Sequence, residues 1–197
     1  MNESTDVKFF FNFRSPYCYI VSKLLPDIFD DYHVNMVWRP LGGWHGRSAP
    51  DRAKVKIPLV RQDMARITRK MGIPMNPPPP TTDPSKAGAG SLLAEERGVL
   101  REYIVAMMAE EWAQGKDIGD ESVILAVGES VGLDRSELAA SLVSPQRLAS
   151  LEANSREAES LGVIGVPSFV VGDQIFWGSD RVDYLCDHLR ELRLARY

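Results

Sequence analysis

Cysteine is scarce in this 197-residue chain, which carries only Cys18 and Cys186. Two cysteines so far apart exclude a disulfide framework of the small secreted kind and make a reducing cytoplasm the expected compartment. Histidine is nearly as rare, and His33, His45 and His188 form no metal-ligand spacing, so no metal centre is expected. A strong charge of either sign is missing too. The net charge of −4 gives neither nucleic acid nor an anionic membrane a reason to bind. No run approaches the ~20 apolar residues of a membrane span. The opening "MNESTDVKFF" lacks the basic-then-apolar pattern of a secretory signal. What is present, 44% hydrophobic and 25% charged residues, is the composition of a globular protein. The length suits one domain, or a small domain with a large insertion.

Strand chemistry at the two ends frames a helical middle. "VKFFFNF" (7–13) is aromatic and β-branched and reads as a strand ending before Ser15-Pro16. Ser15 is placed as an N-cap and Pro16 as the first helical residue, where a missing N–H is no loss. The helix runs through "YCYIVSKLLPDIFDDY", with Pro26 as a kink or stop. "VNMVW" (34–38) is predicted as the second strand of a β-α-β unit. After a glycine-rich loop (40–50), helical patterns extend far beyond an ordinary connection of ~2–6 residues. Met64, Ile67 and Met71 share a face that Gly72 and Pro74 close. "NPPPPTTDPSKAGAG" (76–90) is predicted to be extended. Leu93, Leu100, Ile104 and Met107 form a stripe ending near Trp112, read as core. Shorter helices are predicted over 120–131, 134–142 and 145–161, the second with Asp134 and Glu137 as a box-like cap. "PSFVVGDQIFWG" (167–178) reads as a hairpin turning at Gly172-Asp173. A final helix from Ser179 or Asp180 to about residue 195 should bury Val182, Leu185, Leu189 and Leu192 on one face.

Candidate chemistry starts at "SPYC" (15–18), a C-x-x-C frame with serine in the first position. A hydroxyl at a helix N-terminus can donate to a bound thiolate and favour its ionised form. Read more plainly, Ser15 is an N-cap worth ~0.5–2 kcal/mol. Cys18, alone in the frame, reads as a small buried hydrophobe, because a dithiol cycle needs two proximal sulfurs and Cys186 lies in the final helix. In "GSDR" (178–181), Ser179 and Asp180 offer a hydroxyl and a carboxylate; they are either ligand groups or simple caps, with Asp180 free to pair with Arg181.

Together "FFFNFRSPYCYI", "GVPSFVV" and "IFWGSDRVDYL" resemble the DsbA-like branch that includes 2-hydroxychromene-2-carboxylate isomerases and kappa-class glutathione transferases. The resemblance spans the whole chain. It implies an α/β thioredoxin-like fold with a large all-helical insertion: a discontinuous thioredoxin-like domain over 1–50 and 160–197, and a helical insertion over 51–159. It also implies glutathione as cofactor, with Ser15 as the catalytic residue that stabilises its thiolate. Val166-Pro167 resembles the family's cis-proline, whose backbone can pair with an extended peptide such as glutathione; the alternative is an ordinary trans proline opening a strand. Ser179 and Asp180 would hold the γ-glutamyl end. The implied activity is glutathione-dependent isomerisation of an unsaturated aromatic carboxylate in aromatic catabolism, by a cytoplasmic homodimer. A kappa-like transferase, a DsbA-like thiol oxidoreductase and a non-catalytic binding module are the alternatives.

Two departures fall in the substrate region. Pro50 stands where the isomerases commonly carry an asparagine, with Ser48 and Asp51 the nearest polar residues, and "DPSK" (83–86) replaces an N-S/T pair. Trp44 and His45 are candidates for the pocket mouth. Lys54, Lys56 and Arg61 are candidates for attracting a carboxylate, with a solvated basic helix face as the plain alternative.

Overall fold

The computed structural model describes residues 5–43 and 50–196. A four-stranded sheet has the order β2-β1-β3-β4. β1 (Thr5–Phe11) pairs in parallel with β2 (Val34–Pro40), and antiparallel with β3 (Ser168–Val171), which continues antiparallel into β4 (Gln174–Trp177). The C-terminal half of β1 is buried on both faces, and its side chains alternate between them. Phe9 and Phe11 join the large core cluster on one face, whereas Phe10 packs with Leu41, Ala158, Val163 and Val170 on the other. Phe9 lies opposite both Trp38 and Phe169 in register, and its ring stacks on Phe169 with centroids 4.5 Å apart. Lys8 and Arg39 hold Glu157 at 2.6 and 2.5 Å, tying β1 and β2 to helix α8 (Pro145–Ser160).

Among the described residues, six helices lie between β2 and β3: α3 (Pro50–Met71), α4 (Ser85–Glu96), α5 (Leu100–Trp112), α6 (Glu121–Ser130), α7 (Arg135–Leu142) and α8. α3 to α7 share one buried cluster with the sheet, so Met107, Trp112 and Leu138 sit in the same core as Phe9 and Phe169, whereas α8 packs Ala158 against the opposite face. The hairpin over 167–178 and the helices near 120–161 form where their turn and cap signals place them; Asp134 Oδ1 accepts from the Glu137 N–H at 2.8 Å.

Several boundaries differ from the sequence reading, each for a local reason. β1 ends at Phe11, because Asn12 turns the chain, donating to the Leu41 and Gly43 carbonyls and accepting from the Arg14 N–H. The long helix expected after Pro16 is two helices, α1 (Pro16–Ser22) and α2 (Leu25–Asp31), and Pro26 sits in the first turn of α2 rather than inside a kinked helix. The 76–90 segment is extended only at its start, since α4 begins at Ser85. Gly88 and Gly90 of that helix leave room for its neighbours, since a Cβ on them would lie 3.1 Å from Leu151 and 2.5 Å from the Tyr103 hydroxyl. The Leu93–Met107 stripe divides between α4 and α5 at Gly98, whose φ of +72° closes the first helix. The last helix, α9 (Val182–Glu191), is preceded by a 3₁₀ turn, Ser179–Arg181, and ends early enough to leave Leu192 45% exposed.

Candidate active site

Ser15 caps α1 with extended backbone (φ −93°, ψ 115°), and its Oγ accepts from the Cys18 N–H at 3.3 Å. The cap brings the hydroxyl to the loop before β3, where it donates to the Val166 carbonyl at 3.4 Å. The Val166–Pro167 peptide bond is cis. Among the described residues the half-buried Val166 N–H has no hydrogen-bond partner, so a backbone donor stands open beside Ser15. Pro167 is fixed from behind, since its carbonyl accepts from the Gly178 N–H at 2.9 Å.

Ser15 and Val166 line a cavity of about 530 Å³. One wall is α3, which presents Ile57, Val60 and Met64. Another is the proline run, which presents Pro77, Pro78 and Pro80. Lys56 and Arg61 are in the lining, whereas Lys54 is outside it, 81% exposed and 3.7 Å from Asp51. Trp44, His45 and Ser48 lie outside the described residues. Ser179 and Asp180 do not line the cavity. Their 3₁₀ turn packs against α1, and Asp180 pairs with Arg181 at 2.7 Å. Tyr17 stands between the turn and the cavity. Its hydroxyl donates to Asp63 Oδ2 at 3.5 Å, and burial, then Asp63 and Asp180, push its phenol above the usual range.

Cys18 is 1% exposed, and burial pushes its thiol up to about 12, against the opposing hydrogen bonds from Asn12 and Ser15. A thiol so rarely ionised is a poor nucleophile. Both cysteines are buried, and neither is in a disulfide. Among the described residues, no group of three His, Cys, Asp or Glu could hold a metal, and no helix is long and apolar enough to cross a membrane.

Three site residues escape the sequence reading. Arg14 lines the cavity and donates through Nη1 to Glu111 Oε1 at 3.1 Å. Glu111 has a fully buried side chain, and burial raises its carboxyl to about 8 despite the adjoining guanidinium. Trp112 completes the group, donating from Nε1 to the Phe13 carbonyl at 2.8 Å, with its ring 5.6 Å from the Arg14 guanidinium carbon. The available signal was Glu111 itself, an acidic residue on the stripe that buries Ile104 and Met107.

Residues 6–190 match the DSBA-like thioredoxin domain. The chain belongs to that family. A 2-hydroxychromene-2-carboxylate isomerase from Sphingobium xenophagum is 28% identical over 190 residues, covering 93% of this DSBA-like chain and 97% of that protein. Among solved structures, a 2-hydroxychromene-2-carboxylate isomerase superposes with a TM-score of 0.81 at 24% identity, covering 95% of each chain. The cytosolic disulfide reductase DsbM of Pseudomonas aeruginosa, solved with GSH, superposes with a TM-score of 0.72 at 19% identity, covering 96% of this chain and 100% of that one. The DSBA-like, thioredoxin-type fold is thus common to isomerases and disulfide reductases, and the side chains at the site must distinguish them.

Proposed function

We propose that this DSBA-like protein is a glutathione-dependent isomerase of unsaturated aromatic carboxylates, similar in activity to 2-hydroxychromene-2-carboxylate isomerase. The observation that carries this reading is Ser15, a hydroxyl in the first position of the C-x-x-C frame, 3.4 Å from the Val166 carbonyl and open to the cavity. Glutathione fits the residues present. The open Val166 N–H offers a strand-like partner to a peptide, the Ser15 hydroxyl offers a donor to a thiolate, and Ser179 and Asp180 stand past Tyr17 for the γ-glutamyl end. When bound, glutathione would supply the thiol that adds reversibly to a conjugated double bond, which becomes a single bond free to rotate. Ser15 would favour the thiolate by turning its O–H from the Val166 carbonyl towards sulfur. The apolar walls from α3 and the prolines would hold an aromatic ring and exclude water. The GSH carried by the DsbM neighbour supports such a ligand in this fold.

Dithiol exchange is disfavoured by the same geometry. Cys18 is buried with a raised thiol pKa, and the chain's other cysteine, Cys186, lies in α9. The test follows the ultraviolet absorbance of 2-hydroxychromene-2-carboxylate with and without glutathione, in the wild type and in Ser15→Ala. The expected result is isomerisation that needs glutathione and is lost in the variant, with total thiol unchanged. Net thiol consumption would instead identify a transferase, and equal rates in both proteins would remove Ser15 from the chemistry.

A further inference from the structure

We propose that Arg14 is the residue that recognises the carboxylate of the ligand in this cavity, and that Glu111 is a positioning residue that holds the guanidinium for it. Only the identity of the acid rests on the isomerase reading.

The first support is the way Arg14 is held. Its side chain is only 10% exposed and is fixed by three groups: Glu111 Oε1 at 3.1 Å, the Pro79 carbonyl at 3.2 Å, and the Trp112 ring. A guanidinium carries five N–H donors, and the buried Nε–H of Arg14 has no partner among the described residues. An aligned and unsaturated guanidinium in a cavity wall is suited to a planar carboxylate, which accepts two parallel hydrogen bonds. The second support is the charge of the wall. Among the described residues, the lining contains Arg14, Lys56 and Arg61 and no Asp or Glu, while its remainder is mostly apolar. Such a surface fits an anion attached to an aromatic body.

The third support is the state of Glu111. Burial outweighs Arg14 and raises its carboxyl to about 8, and Asp117, from the loop after α5, pushes in the same direction. Cys18, facing it from α1, stays a neutral thiol up to about 12. On α5 itself, Glu110 is occupied by Lys116. At neutral pH Glu111 therefore carries its proton. It orients Arg14 through a hydrogen bond without cancelling its charge, and an incoming carboxylate supplies the missing counter-ion. Above pH 8 the ionised Glu111 and the ligand compete for one cation, so ligand affinity falls.

The experiment titrates the protein, without glutathione, with 2-naphthoate and with its uncharged analogue 2-naphthamide. Naphthoate should bind roughly 10–100-fold more tightly, the fold-change of a charge-assisted hydrogen bond. The preference should vanish in Arg14→Met, return in part in Arg14→Lys, and stay absent in Arg14→Met/Glu111→Met, where the pair is replaced by apolar volume so that the core is kept. In the wild type, naphthoate should bind about tenfold more weakly at pH 9.5 than at pH 7, for a shift of one pK unit. Glu111→Gln should bind it without that fall. Equal binding of the two probes by the wild type, or a preference that survives in Arg14→Met, would overturn the assignment. A pH dependence unchanged in Glu111→Gln would remove Glu111 from it. Failure of glutathione to bind would leave these results standing, whereas glutathione-dependent isomerisation without an Arg14-dependent preference would keep the isomerase reading and sink this one.

Discussion

Two helices of this protein begin with the same dipeptide. α1 starts at Ser15-Pro16 and α8 at Ser144-Pro145, each with the serine as cap and the proline as first helical residue, and in both the serine Oγ accepts the N–H three residues on, at 3.3 Å from Cys18 and 3.4 Å from Arg147. Each start also carries an Arg–Glu pair. Arg14–Glu111 is buried, with side-chain exposures of 10% and 0%, whereas Arg147 grips Glu96 through both nitrogens, at 3.0 and 2.7 Å, at the surface. The two carboxyls respond in opposite directions. The Arg147 hydrogen bond lowers that of Glu96, while burial raises that of Glu111. Identical local chemistry thus gives a plain cap at one end and a candidate reaction centre at the other. What separates them is the strand loop, cavity and core supplied by distant residues.

The largest expected difference between the two starts is in activity. Ser15→Ala should lower glutathione-dependent kcat by about 10²–10³, the usual cost of removing one aligned donor to a developing anion. Ser144→Ala should leave kcat unchanged in the same assay. A matching loss in both variants would make Ser15 a cap only.

Next in size is the cost of breaking each ion pair at pH 7, read by denaturant unfolding. Arg14→Met leaves Glu111 as a buried acid without a partner and should cost about 1–3 kcal/mol. Arg147→Met, at the surface, should cost about 0.2–1 kcal/mol. Arg14→Met/Glu111→Met should recover most of the loss.

A pH series sharpens the contrast. Between its ordinary value of 4.5 and about 8, Glu111 keeps its proton in the folded chain and releases it in the unfolded one. Raising the pH through that window therefore favours unfolding, and above it the effect is constant. Glu96 acts in the opposite sense, because its depressed folded value stabilises the protein above the ordinary carboxylate range and loses that contribution as the pH falls. The melting temperature of Glu111→Gln should accordingly fall less from pH 5 to pH 8 than that of the wild type. Parallel curves would mean that Glu111 ionises normally.

The smallest effect should be a shared one. As caps, Ser15 and Ser144 should each cost about 0.5–2 kcal/mol of stability when replaced by alanine. A much larger loss at Ser15 would show that its contact with Val166 is structural as well.

This division follows what the sequence could and could not reveal. Caps, turns and periodicity are local, so Asp134, the Gly172-Asp173 turn and the Ser15-Pro16 start stand out from neighbouring residues alone. The split at Lys23–Leu24 and the onset of α4 at Ser85 depend on packing against other elements, as the approach of Gly90 to Tyr103 illustrates. The serine and the proline of the site were legible as motifs. Arg14 and Glu111 were not, because they lie 97 residues apart and each becomes meaningful only when β1 and α5 bring them together. The proline run reads as an extended linker, and its role as a cavity wall emerges only in three dimensions.

The central claim is that the Ser15 hydroxyl favours the ionised form of a bound glutathione thiol. Ultraviolet titration of the thiolate, with glutathione saturating the wild type and then Ser15→Ala, tests it most directly. The bound thiol should titrate below the ordinary thiol value of about 8.5 in the wild type and return towards it in the variant. The same titration curve in both proteins would contradict the claim.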